Sequence, residues 1–192
     1  MAKTNVAVAP SDTVERILDV AEDCIRERGY NAFSFREIAK EIGIKSASVH
    51  YHFPTKADLG AAVVRRYTDY FIHKLGEPGE GGIAPRELLD NYTEEFRKVM
   101  ARDQKMCIGG ILGAEADSLP EEVVEATRHF FESNLEWLAV VLERVDTECS
   151  HEEARTRAFR MLAALEGALI LARSLGETDA YSKAVDELLS VT

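Results

Sequence analysis

An all-α fold is predicted for this chain of 192 residues, and three observations predict it. Apolar residues recur at helical spacing along most of the sequence, as in Ile17, Val20, Ala21, Cys24 and Ile25, which share one face of a 3.6-residue repeat. Ser, Thr and Gly residues stand where helix caps are needed at the ends of these stripes. No run alternates apolar and polar residues as a half-buried strand does.

Taken in order, residues 1–10 carry no periodicity and read as a frayed terminus. Ser11 would cap the first helix, with Asp12 and Glu15 in the turn where the dipole favours anions, and Gly29 would close it. Ser34 would cap a short second helix carrying Ile38, Ala39 and Ile42, and Gly43 would end it. Ser46 begins a third helix that must stop near Phe53, because Pro54 disfavours helical geometry in the residue before it. Thr55 caps a long fourth helix with an apolar stripe from Leu59 to Leu75. GEPGEGGIAP, residues 76–85, breaks the pattern, and Pro85 fits the first turn of a helix over 85–101. A short segment over 107–118 follows, with Gly109, Gly110 and Gly113. Pro120, Glu121 and Glu122 open a long helix to about residue 146; Ser150 caps another to Leu175 before Gly176; Thr178 caps the last, with Tyr181, Val185, Leu188 and Leu189. About nine helices result, divided as a head over 11–54, a connecting helix over 55–75, and a body over 84–192.

Composition narrows the function. Hydrophobic residues at 46% and charged residues at 30% are ordinary for a soluble globular chain. No apolar run reaches the ~18 residues of a membrane span, and no secretory signal opens the chain. Cys24, Cys107 and Cys149 are odd in number and far apart, which fits a reducing cytoplasm instead of a disulfide framework. Without a CxxC or CxxH pair, neither metal nor cofactor is expected. A net charge of −11 argues against a nucleic-acid partner until it is divided. Residues 1–75 hold 11 Lys and Arg against 10 Asp and Glu, while 76–192 hold 12 against 24. The window 34–66 is net +3, from Arg36, Lys40, Lys45, Lys56, Arg65 and Arg66 against Glu37, Glu41 and Asp58. A mildly basic head and an acidic body suit different partners.

The head carries the informative motif. In FREIAKEIGIKSASVHYHF, Ala39 suits a close helix crossing, Gly43 a tight turn, and Ile38, Ile44 and Val49 an apolar wedge. This is the pattern of a helix-turn-helix, whose second helix enters the DNA major groove. Short or donor-bearing groups on that second helix suit phosphates and base edges. Lys56 in the first turn of the next helix opposes the dipole, unless a phosphate binds at that N-terminus.

From about Val14 to Tyr67 the chain resembles the DNA-binding domain of the tetracycline-repressor (TetR/AcrR) family. The resemblance rests on ILDVAEDCIRERGYNAFSF, IAKEIGIKSASV and HFPTKADL as an ordered set. It departs at His50, where the family usually has Tyr, with Tyr51 following. The resemblance implies a homodimeric repressor with two such heads on a ligand-sensing body, acting on a palindromic double-stranded DNA operator. It implies backbone contacts from Ser34, Lys45, Ser48, Tyr51 and Lys56, and base-edge readout from Lys45, Ser46, Ala47 and His50. His52 and Phe53 read as core.

In the body, Ala164, Ala168 and Ala172 form a small-residue row beside Leu165 and Leu169 on the helix from Ser150. Packed with the last helix, that row would build a four-helix dimer interface. Tyr92, Phe96, Met106, Phe130, Phe131 and Trp137 are candidate lining for an unknown small-molecule effector, with His129 as a polar anchor. Cys107 follows Arg102 and Lys105 at the start of a short helix, a setting that lowers a thiol pKa and suits an electrophile or oxidant sensor. Two other readings compete. One is an all-α enzyme with Cys107 as nucleophile and His129 or His151 as base; no acidic orienter or oxyanion-hole sequence accompanies it, and no catalytic residue is assigned. The other is a helical interaction module that binds no DNA.

Overall fold

The computed structural model describes residues 10–79, 82–103 and 105–190. Among them are nine α-helices and no strand: α1 Pro10–Arg28, α2 Phe35–Ile42, α3 Ser46–His52, α4 Lys56–Leu75, α5 Pro85–Asp103, α6 Ile108–Ala114, α7 Glu121–Val145, α8 His151–Leu175 and α9 Thr178–Ser190. The all-α prediction therefore holds. The reading of the first nine residues as frayed falls outside the described residues.

Local chemistry sets most boundaries where the sequence put them. The Ser34 hydroxyl accepts from the Glu37 N–H at the start of α2. Thr55 and Ser150 form reciprocal capping boxes with Asp58 and Glu153. Gly43 ends α2 at φ 75° and ψ 32°, left-handed geometry that a side chain disfavours. Two starts differ. α1 begins at Pro10, so Ser11 lies inside the helix, and α9 already includes Thr178. The segment over 107–118 divides into α6 and a 3-10 turn at Ala116–Ser118.

α1 packs on α2, α4 and α6, and α2 on α3. α4 runs from this head into the body against α7; α7 lies on α8, α8 on α9, and α5 spans α7 and α9. One continuous apolar core joins head and body, from Ile17, Ile38 and Val49 through Val63 and Phe71 to Phe130, Leu138 and Leu165.

Candidate functional site

The helix-turn-helix is held from beneath. Ile38 and Val49 are fully buried and Ala39 nearly so, where α2 and α3 cross. The Gly43 and Ile44 N–H groups both donate to the Ala39 carbonyl. Arg16 of α1 donates to the Ile42 carbonyl at 2.6 Å, a cation at the helix end where the dipole favours one. Sequence reading missed this contact because it joins residues 26 apart.

With Val49 pinned inward, α3 turns Ala47, His50 and Tyr51 outward, positions that share one helix face. Tyr51 is 83% exposed. The His50 ring stands edge-on to Phe35 at 4.6 Å, which orients it without burying it. Lys45 occupies the N-cap position of α3 with no side-chain cap bond and is exposed; Ser46 and Ser48 are half-buried. His52 is half-buried and Phe53 buried.

Two expectations need correction. At Lys56 the structure supplies a reason other than a bound phosphate. Its ammonium lies 4.7 Å from the Tyr30 ring centroid and 4.5 Å from that of Phe33, within cation–π range. Burial lowers its pKa, and the Thr55–Asp58 box already occupies the α4 N-terminus. Second, the +3 of window 34–66 overstates the charge turned outward. Arg66 is held by Glu15 at 3.0 Å, Asp19 at 2.8 Å and Glu22 at 2.9 Å, one face of α1.

In the body, the structure brings together four of the predicted lining residues. Tyr92, Phe96, Phe130 and Trp137 are buried around Phe71 and Tyr67, with Tyr92 stacked on Trp137 at 5.5 Å. The Tyr92 hydroxyl donates to Asn134 Oδ1 at 2.9 Å, and Trp137 Nε1 donates to the Gly76 carbonyl at 2.8 Å. Phe131 is half-buried, with its ring against Phe130. His129 is exposed, so it does not anchor this core.

Cys107 caps α6 but is buried, and burial beside Glu166 pushes its thiol pKa well up, not down. Lys105 turns away to Asp23 of α1 at 3.0 Å, and the Arg102 side chain lies outside the described residues. The Tyr67 hydroxyl lies 4.0 Å from Cys107 Sγ. Neither proposed base is next to the thiol: His129 is exposed, and His151 is exposed and bonded to Glu143 at 2.7 Å. A cysteine–histidine dyad is not formed.

Glu166 was not foreseen. It is buried on α8, where neither carboxylate oxygen has a well-formed hydrogen bond and the Cys107 thiol stands beside it. Burial pushes its pKa up to about 7, and the nearby Cys107 opposes this. Its sequence signal was a lone acid between Leu165 and Leu169 on a helix apolar around most of its girth. The α6 glycines make room for what packs on them. A Cβ at Gly109 would meet the Phe130 ring at 2.3 Å, and one at Gly110 would meet Glu166 Oε2 at 2.5 Å.

The predicted dimer row is also corrected. Leu165, Leu169 and Ala172 are buried within the protomer and Ala168 is half-buried; of that set only Ala164 is exposed. The outward face of α8 instead carries Phe159 (64% exposed), Ile170 (45%), Leu171 (62%) and Leu175 (65%), with Ala163 and Gly167 between them.

α6 is tied at its front to the end of α1 and at its rear to the turn that follows α1. Arg26 Nε donates to the Met106 carbonyl at 3.0 Å, and the Met106 N–H donates to the Arg26 carbonyl at 3.2 Å. At the other end Glu115 accepts from the Tyr30 N–H at 2.9 Å, lying where a Gly29 side chain would be. Met106, expected in the pocket lining, is thus a backbone fastening between head and body.

Known proteins share this architecture. Residues 17–63 match the sequence model described as bacterial regulatory proteins, tetR family. A TetR transcriptional regulator from Legionella pneumophila is 33% identical, with a TM-score of 0.86 over 98% of this chain and 99% of that one. A TetR-family regulator from Agrobacterium tumefaciens is 30% identical, also at 0.86, over 94% and 97%. The HTH-type transcriptional regulator LmrA of Bacillus subtilis is 27% identical over 83% of this chain and 86% of its own length. No described helix is long and apolar enough to cross a membrane.

Proposed function

The chain belongs to the TetR family of bacterial transcriptional regulators, and from that premise we propose that it is a ligand-responsive repressor acting as a homodimer on a palindromic operator. The observation that carries this reading is α3. Its inner residue Val49 is fully buried, while Ala47, His50 and Tyr51 stand free on one face. Lys45, Ser46, Ala47 and His50 meet base edges in this reading. Ser34, Lys45, Ser48 and Tyr51 meet the backbone.

Homodimerisation is supported by the outward face of α8. Four large apolar side chains, each 45% exposed or more, lie along it, and exposed apolar surface on this scale suits an interface. A two-fold contact would space two α3 helices for successive major grooves. Ligand response is supported by the buried aromatic core beside α4, the helix that runs from head to body. A ligand shifts head spacing only through unequal affinity for the two arrangements. The buried, protonated Cys107 thiol favours a reversible small molecule over a thiol-reactive compound as effector.

Selection of bound duplexes from random DNA, at two salt concentrations, tests the reading. A palindromic motif whose affinity falls steeply with salt is expected. Failure to enrich any motif would overturn it. Leu171→Asp should convert a dimer to a monomer in sedimentation; an unchanged mass would remove α8 from the interface.

A further inference from the structure

Buried polar atoms are almost always paired, and this body holds a group of them that is not. Neither Glu166 oxygen nor the Tyr181 hydroxyl has a well-formed hydrogen bond, and beside Glu166 stands the Cys107 thiol, a weak donor. They share one electrostatic neighbourhood, since Glu166 and Cys107 both act on Tyr181, on Tyr92 and on Tyr67. Glu166 of α8 packs against Gly110 of α6, Cys107 stands at the start of that helix, and the Tyr67 hydroxyl of α4 lies 4.0 Å from Cys107 Sγ, with Tyr92 of α5 and Tyr181 of α9 in the same buried core. Two cations approach this group from its edges: Arg26, near Tyr67, is bonded to the Met106 carbonyl, and Arg97, near Tyr181, is paired with Asp186.

We propose that Glu166 is the charged anchor of the effector site, and that it selects an organic amine: one protonated nitrogen on an apolar, preferably aromatic, body. The inference rests on the ligand-responsive reading above and names the ligand class. A carboxylate in an apolar core either stays protonated or acquires a cation. Aromatic faces stabilise a cation as well, and the rings of Tyr67, Phe71, Tyr92 and Phe130 are clustered here. An anion would meet Glu166 with repulsion, and a neutral alcohol would leave its charge uncompensated.

A second observation points the same way. A cleft of about 600 Å³ opens between α1, α4 and α5, and Tyr67 and Phe71 line it. Its walls hold four carboxylates, Glu15, Asp19, Glu22 and Glu95, against the three cations Arg26, Arg66 and Lys98. Arg66 pairs with Glu15, Asp19 and Glu22, and Lys98 with Glu95, so these walls carry one net negative charge and admit a cation more readily than an anion. Tyr67 belongs both to this cleft and to the Glu166 group, its hydroxyl lying 4.0 Å from Cys107 Sγ.

The test uses phenethylamine, 2-phenylethanol and phenylacetate, which share one apolar body and differ in charge. Binding to the full chain is read at pH 8 from the fluorescence of Trp137, its one tryptophan, and checked by thermal shift. Phenethylamine should bind about tenfold tighter than the alcohol, with phenylacetate weakest. Glu166→Gln should bring the amine and the alcohol to within about twofold. Glu166→Asp, which keeps the charge, should retain the order and serves where the Gln variant does not fold. Equal binding of the three, no binding of the amine, tightest binding of phenylacetate, or an unaltered preference in the Gln variant would each overturn the proposal. Operator binding by the ligand-free protein is measured alongside. Its absence would sink the repressor reading while leaving the amine result to stand on its own.

Discussion

Replacing Glu166 by Gln should change how stability depends on pH, and the size of the change follows from the burial of this one carboxyl. A rise in its pKa from 4.5 to about 7 means that the folded chain holds the proton more tightly than the unfolded chain does. The stability this contributes is complete below 4.5 and is lost as pH rises to 7. At 1.36 kcal/mol per tenfold change in proton affinity, the loss reaches about 3 kcal/mol above pH 7. At pH 5 it is about 1 kcal/mol by the same linkage. Gln cannot ionise and escapes this loss, although its buried amide carries a fixed cost of its own. The stability of Glu166→Gln relative to the parent should therefore rise by about 2 kcal/mol between pH 5 and pH 8. Guanidinium unfolding of both proteins, at one protein concentration and at several pH values, measures that difference. Other titrating groups cancel because the two chains share them. A constant offset across the pH range would refute the reasoning, and a difference of opposite slope would place the carboxylate in a charged, satisfied site.

Other expected outcomes are more local. Gly109→Ala drives a methyl into the Phe130 ring, 2.3 Å from its nearest atom, and should cost about 1–3 kcal/mol, read as a lowered unfolding midpoint. Tyr51→Ala removes an exposed ring and should leave stability within about 0.5 kcal/mol while weakening operator binding in fluorescence anisotropy; unchanged binding would take Tyr51 out of the interface. Ser150→Ala removes the α8 capping box and should cost about 1 kcal/mol in the same unfolding assay. The acidic body should leave affinity for random duplex low at physiological salt, and tight binding in a filter assay would contradict that expectation.

What could be read from the sequence was what short-range chemistry decides. Ser34, Thr55 and Ser150 were legible as caps because each bonds a residue three positions away. Gly43 was legible because the turn there needs a positive φ. The helix-turn-helix followed from such signals in the right order. Lys56, Arg66 and Glu166 were misjudged or missed because their environment is made by other helices. Tyr30 and Phe33 lie over Lys56, three α1 carboxylates hold Arg66, and α6 covers Glu166. α8 shows the limit most clearly. It is apolar around most of its girth, so periodicity could not tell the inward row of Leu165 and Leu169 from the outward row of Phe159, Ile170 and Leu171.

The paired fastenings of α6 make that short helix a tie-rod. Its front end is fixed to Arg26 at Met106 through one backbone bond and one bond from the Arg26 guanidinium, and its rear end to the Tyr30 N–H through Glu115. Between them, Gly109 and Gly110 bear directly on Phe130 and Glu166. Because protein interiors are close-packed, a displacement of either side chain by a few tenths of an ångström has little free volume in which to dissipate at α6. The same helix is fastened to the close of α1 and the turn after it, and α1 in turn reaches α2 through Arg16, which donates to the Ile42 carbonyl. One helix of seven residues thus touches both the body core and the helix that supports the DNA-reading turn.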